Sequence, residues 1–350
     1  MAKRFLEVKE RLWRDIQPEP ELAAVYAVSR MTLRRSIAEL TDEGFLEPRP
    51  GRGTYVLQEP PARSGGPYTI GLVTAWQVSE ASSDPYFGGL FIALATALGS
   101  RGCLITFAHD REQLAPTAPV VGERVSRRPV DGIVAMAYDR DHVWDLLSLR
   151  VPLVLADCPP LPERSCVLPD NRDGIFQAVR HLVDLGHRRI AHLHGHLNSI
   201  DGQERLTAFR EALAQHGLDS GADLIADGHF DVDEGAAALH RLFDSSDAPP
   251  TAVVCANDRS ALGALRALRE RGLQAPADCS VIGFDDIDAA THCTPPLTTV
   301  RIDPRDLAAR VADTLLEDLG REPEDRAGRT LRVPGTLVVR GSTAAPRPSA

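Results

Sequence analysis

Over most of its length the chain alternates short β-branched runs with longer stretches whose apolar residues recur at helical spacing. The runs predict strands over 69–73, 103–107, 132–136, 153–156, 189–194, 252–255 and 280–284. The stretches between them predict helices over 87–101, 172–185, 203–216 and 260–271. This βα rhythm builds parallel sheets, and there is enough of it for two doubly wound lobes. The first 57 residues follow another pattern. A short helix over 21–26 and a turn at Ala27-Val28 lead to a second helix capped by Ser29, with Leu33, Ile37 and Leu40 as its buried stripe. Gly44 ends that helix, and Phe45-Leu46-Glu47 and Thr54-Tyr55-Val56 read as a hairpin around a glycine-rich tip. Residues 58–67, rich in Pro, Gly and small polar side chains, break both patterns and read as a linker.

Charge changes how the head is read. The net charge of −10 is not that of a nucleic-acid binder, but residues 1–57 hold ten Lys/Arg against nine Asp/Glu, leaving the head at +1 and the rest at −11. Any attraction to phosphates must therefore be local. Arg30 and Arg34 stand one turn apart on the second helix, with Met31, Thr32 and Arg35 beside them at its positive end. Such a helix end fits a DNA major groove, and Arg49 and Arg52 at the hairpin tip can reach phosphates or the minor groove.

Composition then removes several chemistries. Lys3 and Lys9 are the only lysines, which excludes a P-loop lysine and a pyridoxal Schiff base. The six cysteines are scattered without a CxxC pair, so neither a zinc knuckle nor a disulfide framework is expected. His192, His194 and His196 alternate along one strand and imitate a metal site, but no carboxylate or cysteine stands at supporting spacing, and no metal or cofactor is expected. Neither a GxSxG elbow nor a paired-glutamate pattern is present, so no catalytic residue is assigned. No apolar run is long enough to span a bilayer and the N-terminus is unlike a signal peptide, which predicts a cytoplasmic protein.

Motifs in the head resemble the GntR family: Glu21-Leu22-Ala23, Val28-Ser29-Arg30 with Thr32-Leu33-Arg34-Arg35, Glu43-Gly44-Phe45-Leu46 and Gly51-Arg52-Gly53-Thr54-Tyr55-Val56 occur in order across residues 16–57. The resemblance implies a winged helix-turn-helix over 1–57 that contacts DNA through Ser29, Arg30, Thr32, Arg34, Arg35, Arg49, Gly51, Arg52, Gly53 and Thr54. Pro20 stands where the family often has a DNA-contacting arginine, so this head is expected to make fewer phosphate contacts than usual and to lean on dimerisation.

Residues 68–342 resemble the effector domain of the LacI/GalR family, itself similar to periplasmic sugar-binding proteins. The matching stretches include Asp84-Pro85-Tyr86-Phe87, Leu185-Gly186-His187-Arg188-Arg189-Ile190, Ala256-Asn257-Asp258 and Val281-Ile282-Gly283-Phe284-Asp285-Asp286. The implied architecture is α/β: a small winged head, then a two-lobed periplasmic-binding-protein-like domain of doubly wound parallel sheets. Lobe 1 is expected at about 68–170 and 300–326, and lobe 2 at about 171–299 and 327–342. Crossovers are expected near Asp170, Thr299 and Ala327, and a disordered tail over 343–350. The resemblance assigns ligand contacts to Asp84, Tyr86, Phe87, Asp157, Arg205, Phe230, Asn257 and Asp285, with Asp286 a turn residue. Carboxylates at the C-terminal edges of parallel strands, with an arginine and aromatics, suit a sugar-like polyol. The combination is that of arabinose-repressor-like bacterial regulators, which implies a homodimeric repressor of carbohydrate-utilisation genes that binds operator DNA and is released by a small effector. A sugar-binding protein whose head docks a protein partner, and a sugar-processing enzyme, stay open at this stage.

Overall fold

In the computed structural model the described residues are 46–49, 53–56, 67–74, 84–109, 130–148, 151–219, 221–245, 248–321 and 326–347, with Met31, Arg34 and Ile37. The chain divides into two compact units, Met1–Pro67 and Tyr68–Ala350. In the first, Met31, Arg34 and Ile37 have helical backbone, and Met31 and Arg34 are exposed. Strands β1 (Leu46–Arg49) and β2 (Gly53–Val56) pair antiparallel, from Leu46 opposite Val56 to Arg49 opposite Gly53. That ladder is the expected wing hairpin.

The second unit holds two six-stranded sheets. Sheet one runs β13 (Thr330–Val333), β7 (Ser165–Pro169), β6 (Leu153–Ala156), β5 (Gly132–Met136), β3 (Thr69–Thr74), β4 (Leu104–His109), every pair parallel. Sheet two runs β14 (Thr336–Val338), β12 (Thr298–Arg301), β11 (Ser280–Asp285), β10 (Ala252–Cys255), β8 (Ile190–His194), β9 (Ile225–Asp227), parallel except for β14 against β12. The central strands are buried throughout, which is why they read as continuous apolar runs rather than alternating ones.

Seven helices are described: α1 (Pro85–Ser100), α2 (Asn171–Asp184), α3 (Ile200–Gln215), α4 (Val232–Asp244), α5 (Asp258–Glu270), the short α6 (Asp288–His292) and α7 (Pro304–Leu319). Side chains set where most of them start. Asp84 caps α1 ahead of Pro85, Asp170 caps α2, Ser199 caps α3, Asp231 caps α4, and Asn257 with Ser260 forms a reciprocal capping box on α5. The end of α2 needs Gly186 at φ +100, where the amide of His187 folds back to Leu182 O at 3.0 Å. Helix α7 follows a strand of sheet two but returns to sheet one, burying Leu307, Val311 and Leu315 beside β5 and α1.

The chain crosses between the lobes three times, the first time at Asp170, between β7 of sheet one and α2. Because β12 extends to Arg301 in sheet two, the second lies at Ile302 and Asp303 rather than Thr299. Strand β13 pairs with β7 in sheet one, so the third lies at Pro334 and Gly335 rather than near Ala327. The expected disordered tail is corrected over 343–347, and 348–350 lie outside the described residues. Residues 343–347 dock on lobe 2: His187 Nε2 donates to Ala344 O at 2.8 Å, Thr343 Oγ1 lies 3.0 Å from His181 Nε2, and Arg347 pairs with Asp278. A buried histidine and a buried serine, Ser280, find their partner there, which gives this segment a fixed place. No described helix is long and apolar enough to cross a membrane.

Candidate functional site

The strand ends and helix starts of both lobes converge on one cleft. From lobe 1, Asp84 Oδ1 accepts from the amides of Tyr86 and Phe87 at 3.0 and 3.1 Å, which fixes the first turn of α1. Tyr86 then donates its hydroxyl to Asp157 Oδ2 at 2.7 Å. Asp157 follows β6 with φ +53, and its Oδ1 is buried without a hydrogen-bond partner. From lobe 2, Arg205 on α3 donates Nε to Asn171 Oδ1 at 2.8 Å and Nη1 to Ala256 O at 2.7 Å. Its guanidinium lies 3.9 Å over the Phe284 ring and 6.0 Å from the Phe230 ring. Asp201 and Asp285 approach it at 3.5 and 3.6 Å. Asp285 has φ +105 and a buried Oδ1 that takes no hydrogen bond, and Phe230 has φ +58. Left-handed backbone at Asp157, Phe230 and Asp285 concentrates strain at one place, as binding sites do.

Three sets of polar contacts join the lobes among the described residues. Arg259 pairs with Asp84 at 3.1 Å and with Asp231 at 2.7 Å. Arg332 on β13 grips Glu204 on α3 with two bonds of 2.6 Å. Asn198 donates to Asp139 and Asp141 at 3.2 and 3.0 Å.

Burial dominates the electrostatics. It pushes the carboxyls of Asp157 and Asp285 well above the usual range; neighbouring Asp201 adds to the first and Arg205 opposes the second. Tyr86 is pushed well up by burial and then by Asp157. Burial works against the charge of Arg205, but Asp201, Asp285 and Asp157 together outweigh it and hold the guanidinium protonated. For Glu204 burial is likewise overcome, by Arg332 and Asn171, and its carboxyl ends below the usual range.

The assigned ligand residues divide into two groups. Asp157, Arg205, Phe230 and Asp285 come together, with Tyr86 bound to Asp157 and Asp84 facing Arg259. Phe87 is partly buried against the hydrophobic core, with its ring edge-on to Tyr86 at 5.2 Å. Asn257 has its amide committed within lobe 2: Oδ1 accepts from Ser260 and Nδ2 donates to Phe230 O at 3.1 Å. It holds the backbone of the aromatic residue in place. Asp286 pairs with Arg301 and Arg340, each at 2.6 Å. The cleft also contains Asp201, Asn171, Glu204, Arg259 and Arg332, which the sequence reading did not assign. The signal for Asp201 was its i,i+4 spacing to Arg205, hidden by a predicted helix start at 203 instead of Ile200. Of the strand histidines, His192 is stacked on Phe209 at 4.8 Å and donates Nδ1–H to Val254 O; burial holds it neutral, down to about 3.

Asp258, buried at the start of α5, accepts from Thr299 Oγ1 at 2.5 Å and from the Ile287 amide at 2.8 Å. Burial nonetheless raises its carboxyl to about 7. A folded-state value above the unfolded one means the folded protein holds this proton more tightly, so the contribution to stability declines as pH rises from about 4 to about 7. The stability difference between Asp258→Asn and the parent should therefore shift toward the variant by about 3 kcal/mol between pH 4.5 and 7.5. Urea unfolding at the two pH values measures it, and a constant difference would mean Asp258 does not titrate there.

In the head, Arg34 is exposed on helical backbone, Arg49 ends β1, and Gly53 and Thr54 open β2. Ser29, Arg30, Thr32, Arg35, Gly51 and Arg52 lie outside the described residues.

Comparison with known proteins agrees with both units. Residues 15–56 match the gntR family of bacterial regulatory proteins, and residues 179–343 match the periplasmic binding protein-like domain. The HTH-type transcriptional regulator CelR of Thermobifida fusca is 32% identical over 300 residues, covering 84% of each chain. The arabinose metabolism transcriptional repressor of Geobacillus stearothermophilus is 29% identical over 348 residues, 94% of this chain and 91% of that one. Among solved structures, a complex of transcriptional regulator CelR with cellobiose superposes with a TM-score of 0.72 at 28% identity, covering 93% of this chain and 100% of the other. The chain is a regulator and not an enzyme: it belongs to the family of HTH-type bacterial transcriptional regulators, with a gntR-type head on a LacI-type periplasmic-binding-protein-like body.

Proposed function

We propose that this protein is a cytoplasmic repressor of carbohydrate-utilisation genes that binds operator DNA as a homodimer and leaves it when a small sugar-like effector enters the cleft. The observation that carries this reading is the pair of buried carboxylate oxygens, Asp157 Oδ1 and Asp285 Oδ1, left without hydrogen-bond donors on opposite walls of the cleft. Sugar hydroxyls are such donors. Tyr86 and Phe230 supply ring faces, Arg205 the complementary charge, and Asp84 and Arg259 a latch between the lobes. A ligand bonded to both walls favours the closed lobes and so shifts the population toward the arrangement with lower operator affinity. In the head, Ser29, Arg30, Thr32, Arg34 and Arg35 enter the major groove, and Arg49, Gly51, Arg52, Gly53 and Thr54 lie alongside the backbone.

Fluorescence anisotropy on a labelled duplex from upstream of the protein's own gene tests the reading. For roughly four neutralised phosphates, affinity should fall on the order of a hundred-fold between about 50 and about 200 mM salt. Arabinose or cellobiose, the sugars of the two relatives, are the first effectors to titrate. DNA binding without salt dependence, or none at all, would overturn it.

The dimer has a face of its own. Edge strand β4 exposes Leu104 and Phe107, and α1 exposes Ile92 beside Phe91, which stacks on Phe107 with ring centroids 4.9 Å apart. A strand at the sheet edge among the described residues, next to exposed apolar side chains, invites a second copy of the same chain. Phe107→Glu should yield monomers by analytical ultracentrifugation at micromolar concentration and weaken operator binding about ten-fold or more, since a nearly neutral head depends on its twin. A dimeric variant would place the interface elsewhere.

A further inference from the structure

Three carboxylates and one guanidinium meet in the driest part of the cleft. Asp157 is 3% exposed, and the side chains of Asp285, Asp201 and Arg205 are 7%, 13% and 3% exposed. The neighbouring acids are matched by other cations: Glu204 by Arg332, Asp84 by Arg259, Asp286 by Arg301 and Arg340. Arg205 commits hydrogen bonds to Asn171 and Ala256, and stands off from Asp201 and Asp285 beyond hydrogen-bond length. Asp201 Oδ1 takes a donor from Asn171 at 2.8 Å, but Asp157 Oδ1 and Asp285 Oδ1 take none. Beyond burial, the like charge of Asp201 pushes the carboxyl of Asp157 up further.

One guanidinium faces these acids, and burial keeps Asp157 and Asp285 from ionising unless a second cation joins Arg205. A neutral polyol can donate to the two orphan oxygens but brings no charge that would let these acids ionise in a dry site. An ammonium brings up to three N–H donors and a positive charge at one atom. We propose that the effector is an amine-bearing sugar or polyol whose ammonium sits among Asp157, Asp201 and Asp285, with Asp201 the residue that sets the preference. The proposal rests on the carbohydrate reading of the cleft. It narrows that reading to a cationic class.

The test is thermal shift of the full chain at pH 7.5 with matched pairs: glucosamine and glucose, galactosamine and galactose, mannosamine and mannose, each with its N-acetyl amide. The amine of at least one pair should reach a given shift at ten-fold or more lower concentration than its neutral parent, and N-acetylation should remove the advantage. In Asp201→Asn the preference should shrink to about three-fold or less; Asp157→Asn serves in its place if that variant does not fold. A neutral parent that matches or beats its amine in every pair that binds, or a preference unchanged in both variants, overturns the proposal. Absence of any shift with every sugar, charged or neutral, overturns the carbohydrate reading itself.

Discussion

Arg205→Ala should abolish the sugar-induced thermal shift and destabilise the free protein by about 3–5 kcal/mol, the usual cost of removing one member of a buried ionic network. The side chain satisfies Asn171 Oδ1 and Ala256 O, fills the space over Phe284, and is the cation that Asp201 and Asp285 face. Without it Asp285 gains only by protonation, so the loss of stability should deepen as pH rises and ease as it falls: burial already raises Asp285, and removing the opposing guanidinium raises it further. Arg205→Lys separates charge from shape. It should recover part of the stability but little of the ligand response, because an ammonium does not reproduce the forked contacts with Asn171 and Ala256. Operator binding by the folded Arg205→Ala variant should persist without effector sensitivity, measured by anisotropy below its melting temperature. Retention of a full ligand response would remove Arg205 from the site.

The parallel sheets and most helix starts were legible because their causes are local. Apolar runs mark buried strands, and Asp, Ser or Asn ahead of a periodic stretch marks a cap. Asn257 shows the limit of that reading: the resemblance gave it a ligand role, while its local chemistry, an Asn three residues before Ser260, already described a cap. The crossovers failed for a different reason. Thr330–Val333 and Thr336–Val338 are similar short strands two residues apart, and nothing in their side-chain pattern says that they join different sheets. The acidic character of the cleft was equally hidden. Asn171 meets Asp201 and Glu204, Arg332 meets Glu204, and Arg259 meets Asp84, all partners brought together by the fold across 30 to 175 positions of sequence. Residues singled out one at a time as ligand contacts, Asp157 and Asp285 among them, acquire their meaning only when their shared burial and single guanidinium are seen together.

Gly195→Ala should weaken sugar binding on the order of ten- to a hundred-fold without touching any ligand-facing polar group, and the reason lies in Phe230. A Cβ at Gly195 would stand 2.0 Å from Cζ and 2.3 Å from Cε1 and Cε2 of that ring. The ring cannot retreat with its backbone, because Phe230 O is held by Asn257 and both His229 and Phe230 already occupy left-handed φ, +48 and +58. It must rotate, and the aromatic platform beside Arg205 is lost. Overpacking of this kind costs about 1–3 kcal/mol of stability. A double-mutant cycle isolates the cause: with the ring removed, Gly195→Ala in a Phe230→Ala background should cost under about 0.5 kcal/mol and leave the already weakened affinity unchanged. Equal costs in the two backgrounds would show that Gly195 is needed for its own backbone, and that Phe230 is held in the cleft by Asn257 alone.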